Sequence, residues 1–257
     1  MIKNILSELK KSLGQKYTYM YFAGIIILVL IANIAVVAFR IIYGANEGTY
    51  AYNLLEYATW CFIIPYYTCI FIADIGKGEK YPDPCIKNGT TSGLSRSQMY
   101  LSKLIVSFII GIIFMIVAII ALLGITSLFQ LRDGGLTSYA VSDFFEKMFI
   151  AMPIWYAGVS FGMMFLIIFE KKKYAMLSYF GLTLVIPRII MFFAAEPFKI
   201  AVFRLIRKYT LTQNMSLIPY PADPSRNVTL TIVLGLLYGT IATVIGCICY
   251  NRKKLSK

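Results

Sequence analysis

The sequence predicts an all-α membrane protein with six transmembrane helices. An N-terminal amphipathic interfacial helix precedes them, and an outer amphipathic or re-entrant segment lies between the last two spans. Composition, the spacing of apolar runs and the placement of basic residues predict it. Of the 257 residues 59% are hydrophobic and only 14% are charged, with a mean hydropathy of +0.72. A water-facing surface on a chain of this length takes about a quarter of its residues as charges. Lipid must therefore replace much of the water.

A membrane-crossing helix needs ~20 mostly apolar residues. Six segments supply them, at approximately 22–42, 58–75, 101–129, 148–169, 174–195 and 228–250. The third is long enough to tilt. The second is short and carries Pro65, which predicts a bent or partly re-entrant helix. Residues 1–21 form the amphipathic N-terminal part, and 22–257 the six-span domain. That domain includes a loop at 76–100 on the side of the termini and a loop at 196–227 on the other.

With six spans both termini share a side. That side holds sixteen of the 25 basic residues: Lys3, Lys10, Lys11 and Lys16; Lys77, Lys80, Lys87, Arg96 and Lys103; Lys171, Lys172 and Lys173; Arg252, Lys253, Lys254 and Lys257. Eight lie on the other side, and Arg188 lies within the fifth span. After acidic residues are subtracted, the two sides carry +11 and +1. The positive-inside rule then predicts a multi-pass protein of the cell membrane with both termini in the cytoplasm. The formal charge of +13 is thereby an orientation signal facing anionic lipid, and no nucleic-acid partner is implied. No cleavable signal peptide is expected, because the charged start is followed by no small-residue cleavage site.

Histidine is absent, which removes histidine-based metal sites and nucleophile systems that use a histidine base. The five cysteines form no CxxC pair and read as small apolar residues in or near the membrane. No metal site and no catalytic residue is predicted. The phosphate-cradling pattern G-x-x-x-x-G-K-[ST] is also missing, so no nucleotide is expected on this chain.

Outside the spans, Ile2, Ile5, Leu6, Leu9 and Leu13 repeat at helical spacing, with Lys3, Ser7, Lys10 and Lys11 elsewhere around the helix. This predicts a helix along the membrane surface. Between the second and third spans, Asp83 followed by Pro84 predicts a helix start, with Gly89 and Gly93 able to end it. Ser95 is placed to cap the next helix. Beyond the fifth span, Phe198, Val202, Leu205 and Tyr209 share one face, while Arg204, Arg207 and Lys208 share another. An interfacial or re-entrant helix is predicted there, as a cap over the spans or a contact for anionic headgroups. A turn-rich return follows at 219–225.

Within the spans, Arg188 beside Pro187 is a charge where charge is expensive, and so a candidate for the substrate pathway. It is also near enough to the membrane surface to snorkel. Glu56, Asp143, Glu146 and Glu196 are its candidate partners. Tyr66 and Tyr67 beside Pro65 are further pathway candidates, with packing as the simpler role. Asn33 in the first span is expected to bond another helix.

The run Ile86-Lys-Asn, then Ser92-Gly-Leu-Ser-Arg-Ser, then Tyr100-Leu-Ser-Lys-Leu-Ile resembles the loop between the second and third spans of type-2 ATP-binding-cassette permeases. The six-span layout, amphipathic first helix and long last outer loop are similar to that family too. The resemblance implies a coupling helix made of Pro84, Cys85, Ile86, Lys87, Asn88, Gly89, Thr90 and Thr91, seated in a groove of an ATPase subunit. It implies a second, smaller contact at the turn holding Lys171 and Lys172. Asn88-Gly-Thr-Thr departs from the leucine-containing run usual there. The resemblance further implies an exporter in which ATP and magnesium are bound by a partner ATPase, with a second permease chain, the same or related. An amphipathic peptide is the expected cargo, by family analogy alone. The alternatives are a non-transporting immunity or scaffold protein and a membrane-embedded enzyme.

Overall fold

The computed structural model describes residues 2–43, 50–78, 95–129, 137–169, 171–195 and 198–252. Among them every regular element is helical. In chain order these are α1 (Ile2–Leu13), α2 (Lys16–Tyr43), α3 (Tyr50–Trp60), α4 (Ile63–Lys77), α5 (Arg96–Phe129) and α6 (Ser138–Ile168). There follow α7 (Lys172–Phe180), a π-helical turn (Gly181–Val185), α8 (Ile186–Ala194), α9 (Ala201–Lys208), α10 (Leu211–Leu217) and α11 (Val228–Arg252). Five helices are long and apolar enough to cross a membrane, the fifth-span helix counted through its π turn. The number becomes six if the bent pair α3–α4 is one span.

The central helix is α6. In its most apolar stretch 67% of residues are buried, against 11% in α2 and 17% in the helix from Lys172 to Ala194. It packs against α4 on one side and α11 on the other. The close approach of α11 depends on absent side chains. A Cβ on Gly235 would lie 2.5 Å from the carbonyl carbon of Pro153, and one on Gly239 would lie 2.2 Å from the Tyr156 ring. Small residues let membrane helices approach in this way, where dispersion replaces the hydrophobic drive.

Two apolar clusters fill the bundle. One, toward the termini, holds Ile70, Tyr100, Val106, Met163 and Tyr179. The other, toward the opposite end, holds Leu55, Phe62, Phe144, Ile154, Met215 and Ile218. Trp155 and Phe161 pack against both.

The bend expected around Pro65 is present between α3 and α4, at the carbonyl four residues before the proline. Helices α3 and α4 meet at 57° across Cys61 and Phe62. Pro65 falls in the first turn of α4 and has no N–H for the Cys61 carbonyl, which accepts from the Ile64 N–H at 2.9 Å instead. The Trp155 indole N–H donates to the Phe62 carbonyl at 3.0 Å, tying α6 to the bend.

The fifth span is broken by a π turn just before Pro187. Proline removes the hydrogen bond to the carbonyl four residues earlier, here that of Thr183. A hydroxyl from another element fills the gap: Thr212 of α10 donates to the Thr183 carbonyl at 3.0 Å. Helix α10 follows α9, and its spacing of Leu211, Asn214, Met215 and Ile218 buries one face in the bundle. Thr210 caps it by accepting from the Gln213 N–H.

Helix α1 forms where the spacing predicts it, and its packing differs from a simple apolar face. Ile5 and Leu9 reach the core, but Leu6 is 60% exposed, while Glu8 and Ser12 are buried. Polar residues of α1 are drawn inward because other helix ends offer them partners.

Candidate functional site

Two polar regions concentrate the bundle's buried chemistry. The first lies where the ends of α1, α4, α5, α6 and α7 meet. Lys77 closes α4 and donates to the Leu166 carbonyl of α6 at 2.6 Å. Lys103 of α5 donates to the Lys77 carbonyl at 2.8 Å and lies 3.8 Å from Glu8 of α1. Both members of that ion pair are under a tenth exposed. Asn4 of α1 donates to Ser102 of α5 at 3.0 Å, and Ser12 donates to the Ile75 carbonyl of α4 at 3.1 Å. Asp74 of α4 pairs with Lys172 of α7, whose ammonium also lies 5.7 Å from the Tyr17 ring centroid.

The charges in this region are therefore used as joints between helices. Buried ion pairs need additional hydrogen bonds to repay their desolvation, and Lys103 has them. The chain leaves α4 through Gly78, at a left-handed φ of +84°, and re-enters at Ser95. Ser95 caps α5 reciprocally: its hydroxyl accepts from the Gln98 N–H at 3.3 Å, and the Gln98 side chain accepts from the Ser95 N–H at 3.0 Å. This is a capping box, and it meets the sequence expectation for Ser95. Pro84, Cys85, Ile86, Lys87, Asn88, Gly89, Thr90 and Thr91, for which the resemblance implies a coupling helix, lie outside the described residues, as does Glu170. Lys171 is exposed and sits at the N-cap position just before α7.

The second region lies where α4, the broken fifth span and α10 converge. Tyr66 is buried. Its backbone carbonyl accepts from the Tyr179 hydroxyl, and the Thr212 side chain lies beside its own hydroxyl. Thr183 closes the group by donating to the Tyr179 carbonyl at 2.8 Å. The Tyr67 ring lies 5.6 Å from that of Tyr66. Its hydroxyl oxygen is buried without a hydrogen-bond partner, within electrostatic reach of Arg188.

Arg188 itself is exposed on α8, among the exposed apolar residues Val185, Ile186 and Ile189. Among the described residues it has no carboxylate partner. Asp143, one of its candidates, pairs with Lys147 at 2.6 Å, and Glu196 lies outside the described residues. Of the three aromatic and basic candidates, Tyr67 lies within electrostatic reach of Arg188, while Tyr66 is tied into the scaffold. Asn33 is buried on α2 and, unlike the expected bond to another helix, donates to the Val29 carbonyl of its own helix at 3.0 Å. Its side-chain oxygen has no partner.

Sequence reading did not find Thr183, Thr212, Asn214 or Thr231. Asn214 donates to the Lys208 and Thr210 carbonyls at 2.8 and 2.9 Å and accepts from the Thr231 hydroxyl at 3.1 Å. It thereby ends α9, starts α10 and ties both to α11. The available signal was Pro187, whose orphaned carbonyl requires a donor from elsewhere.

No family model matches this chain, and no curated protein matches it.

Proposed function

We propose that the chain is the membrane-spanning permease subunit of an ATP-driven exporter. It works with a separate ATP-hydrolysing subunit and a second permease chain, the same or related. In this reading α3 and α4 form one bent span, the chain crosses the membrane six times, and both termini are cytoplasmic. Residues 84–91 meet the ATPase, with Lys171 and Lys172 as a smaller contact. ATP and magnesium belong to the partner, and the cargo is an amphipathic peptide.

The observation that carries the reading is the joint at the ends of α4 and α5. Movement of a loop spanning 79–94 acts first on Gly78 and Ser95. From there, the Lys103 bonds to the Lys77 carbonyl and to Glu8 carry it to α1. Lys77 carries it to α6, and the Asp74–Lys172 pair carries it to α7. Helix α7 leads through the π turn to Arg188. Rigid elements joined by paired charges are the physical means by which a push at one end reaches a site at the other.

The test is purification of the full chain, tagged at its C-terminus, from native membranes under mild detergent. The expected result is co-purification of a subunit with a phosphate-binding loop, and ATP hydrolysis that falls on Lys87→Glu substitution or deletion of 84–91. A chain that purifies alone would overturn the reading and favour a non-transporting scaffold. Assembly and hydrolysis that survive both changes would overturn the loop assignment.

A further inference from the structure

The side of the bundle opposite the termini has almost no net charge, yet its charge is unevenly placed. Three of its basic residues, Arg204, Arg207 and Lys208, fall within five positions, and no acidic residue occurs from 198 to 222. Basic residues are disfavoured on a translocated side, so a cluster there implies a compensating anion. Helix α9, which carries it, has no buried residue. It is held from behind: the Phe203 ring lies 5.1 Å from Phe193, and Phe198 lies 5.2 Å from Phe192. Its other face presents Val202, Leu205 and Ile206 at 62, 56 and 42% exposure. Arg204 and Lys208 are also exposed, whereas Arg207 is tied to the Gln213 side chain at 2.8 Å.

The depth of this helix follows from its neighbours. Trp60 and Tyr220 stack at 5.8 Å and, like Tyr209, are about half exposed. Half-exposed tryptophan and tyrosine at a bundle end mark the lipid–water boundary. A helix at that depth, with apolar residues uncovered and basic residues beside them, lies in the interface with its charges at headgroup level.

We infer that α9 is a binding surface for an anionic phospholipid of the leaflet opposite the termini. Arg204 and Lys208 meet the headgroup, and Val202, Leu205 and Ile206 rest on its acyl chains. The charge complementarity decides the occupant. A second copy of the same basic helix would bring like charges together, and a zwitterionic lipid would leave the cluster uncompensated.

The test uses the full chain with Val202→Trp as a reporter on α9, reconstituted in phosphatidylcholine vesicles. Quenching of the added tryptophan is compared for brominated phosphatidylglycerol and brominated phosphatidylcholine, as the difference from the parent chain. Phosphatidylglycerol should half-quench at the lower mole fraction, by about fivefold for each basic residue engaged. The difference should vanish in R204Q/K208Q, survive in R204K, and shrink in high salt. Equal quenching by the two lipids, or a preference that survives R204Q/K208Q, would overturn the inference. Native mass spectrometry of the parent chain and of R204Q/K208Q gives an answer that needs no reporter. Loss of retained phosphatidylglycerol in the double variant supports the surface, and unchanged retention refutes it.

Discussion

The two ends of the bundle use charge in opposite ways. At the end near the termini, Glu8, Lys103 and Lys77 are turned inward and hold helices to one another. At the other end, Arg204 and Lys208 are turned outward on a helix with no buried residue. The first end is bound by directed polar contacts. The second has directed bonds of its own, at Asn214, Thr212 and the Asp143–Lys147 pair, but α9 is held there by stacked phenylalanines and leaves Arg204 and Lys208 exposed. The difference teaches that the density of basic residues does not reveal their role. What separates a joint from a surface is whether a carbonyl or carboxylate lies within reach when the helix packs.

This contrast can be broken experimentally. Lys103→Ala should have the largest effect, because it leaves Glu8 buried without its cation. Removing one member of a buried pair costs about 3–5 kcal/mol, read as denaturant unfolding in detergent micelles. Adding Glu8→Gln should recover a large part of that loss. A silent Lys103→Ala would erase the distinction between the two ends.

Next in size is the helix contact that joins them. Gly235→Ala drives a Cβ into the Pro153 backbone and should cost about 1–3 kcal/mol. Gly124→Ala, where a Cβ meets nothing within 4 Å, should be neutral or stabilising by up to about 1 kcal/mol. Thermal unfolding of the pair separates close approach from mere helix propensity.

At the second polar region, Thr212→Val removes the donor to the Thr183 carbonyl and should cost about 1–2 kcal/mol. Arg204→Gln on the outward helix should stay within about 0.5 kcal/mol. Equal costs would mean that α9 is packed after all.

The smallest effect concerns Asp223, whose carboxylate accepts from the Ser225 amide and hydroxyl. Those bonds hold it below its ordinary value of 3.8. A lowered folded value means that the contribution is fully present above pH 3.8 and is lost as pH falls through the lower value. Amide exchange at Ser225 should therefore accelerate only in acid, and Asp223→Asn should remove the pH dependence.

Several elements were legible because their causes are local. Apolar runs of sufficient length place the spans. Serine before a glutamine three residues on places the start of α5. Alternating hydrophobic and basic positions place α9. Other features were illegible for equally physical reasons. The bond from Trp155, 93 positions away in sequence, to the Phe62 carbonyl at the bend between α3 and α4 is one of them. The bend itself was legible, because Pro65 leaves the Cys61 carbonyl without its helical donor. Helix α10 is too short to announce itself through periodicity, and its role depends on a carbonyl that Pro187 orphans 25 positions earlier. In the candidate site, Arg188 and Tyr67 were legible as unusual residues, but their proximity was not.

From the sequence alone came the class of protein, a helical bundle with several membrane-length segments, because hydrophobicity and segment length are summed along the chain. The charge asymmetry between its two ends came the same way. Which of those charges became joints was decided only by the tertiary structure. An ammonium is stable in the interior only where several oxygens from different helices converge on it, and that convergence cannot be computed from neighbours in sequence. The same reason explains why Glu8 turned inward and Leu6 outward on α1. Each helix settles its rotation by the partners it meets, not by its own pattern.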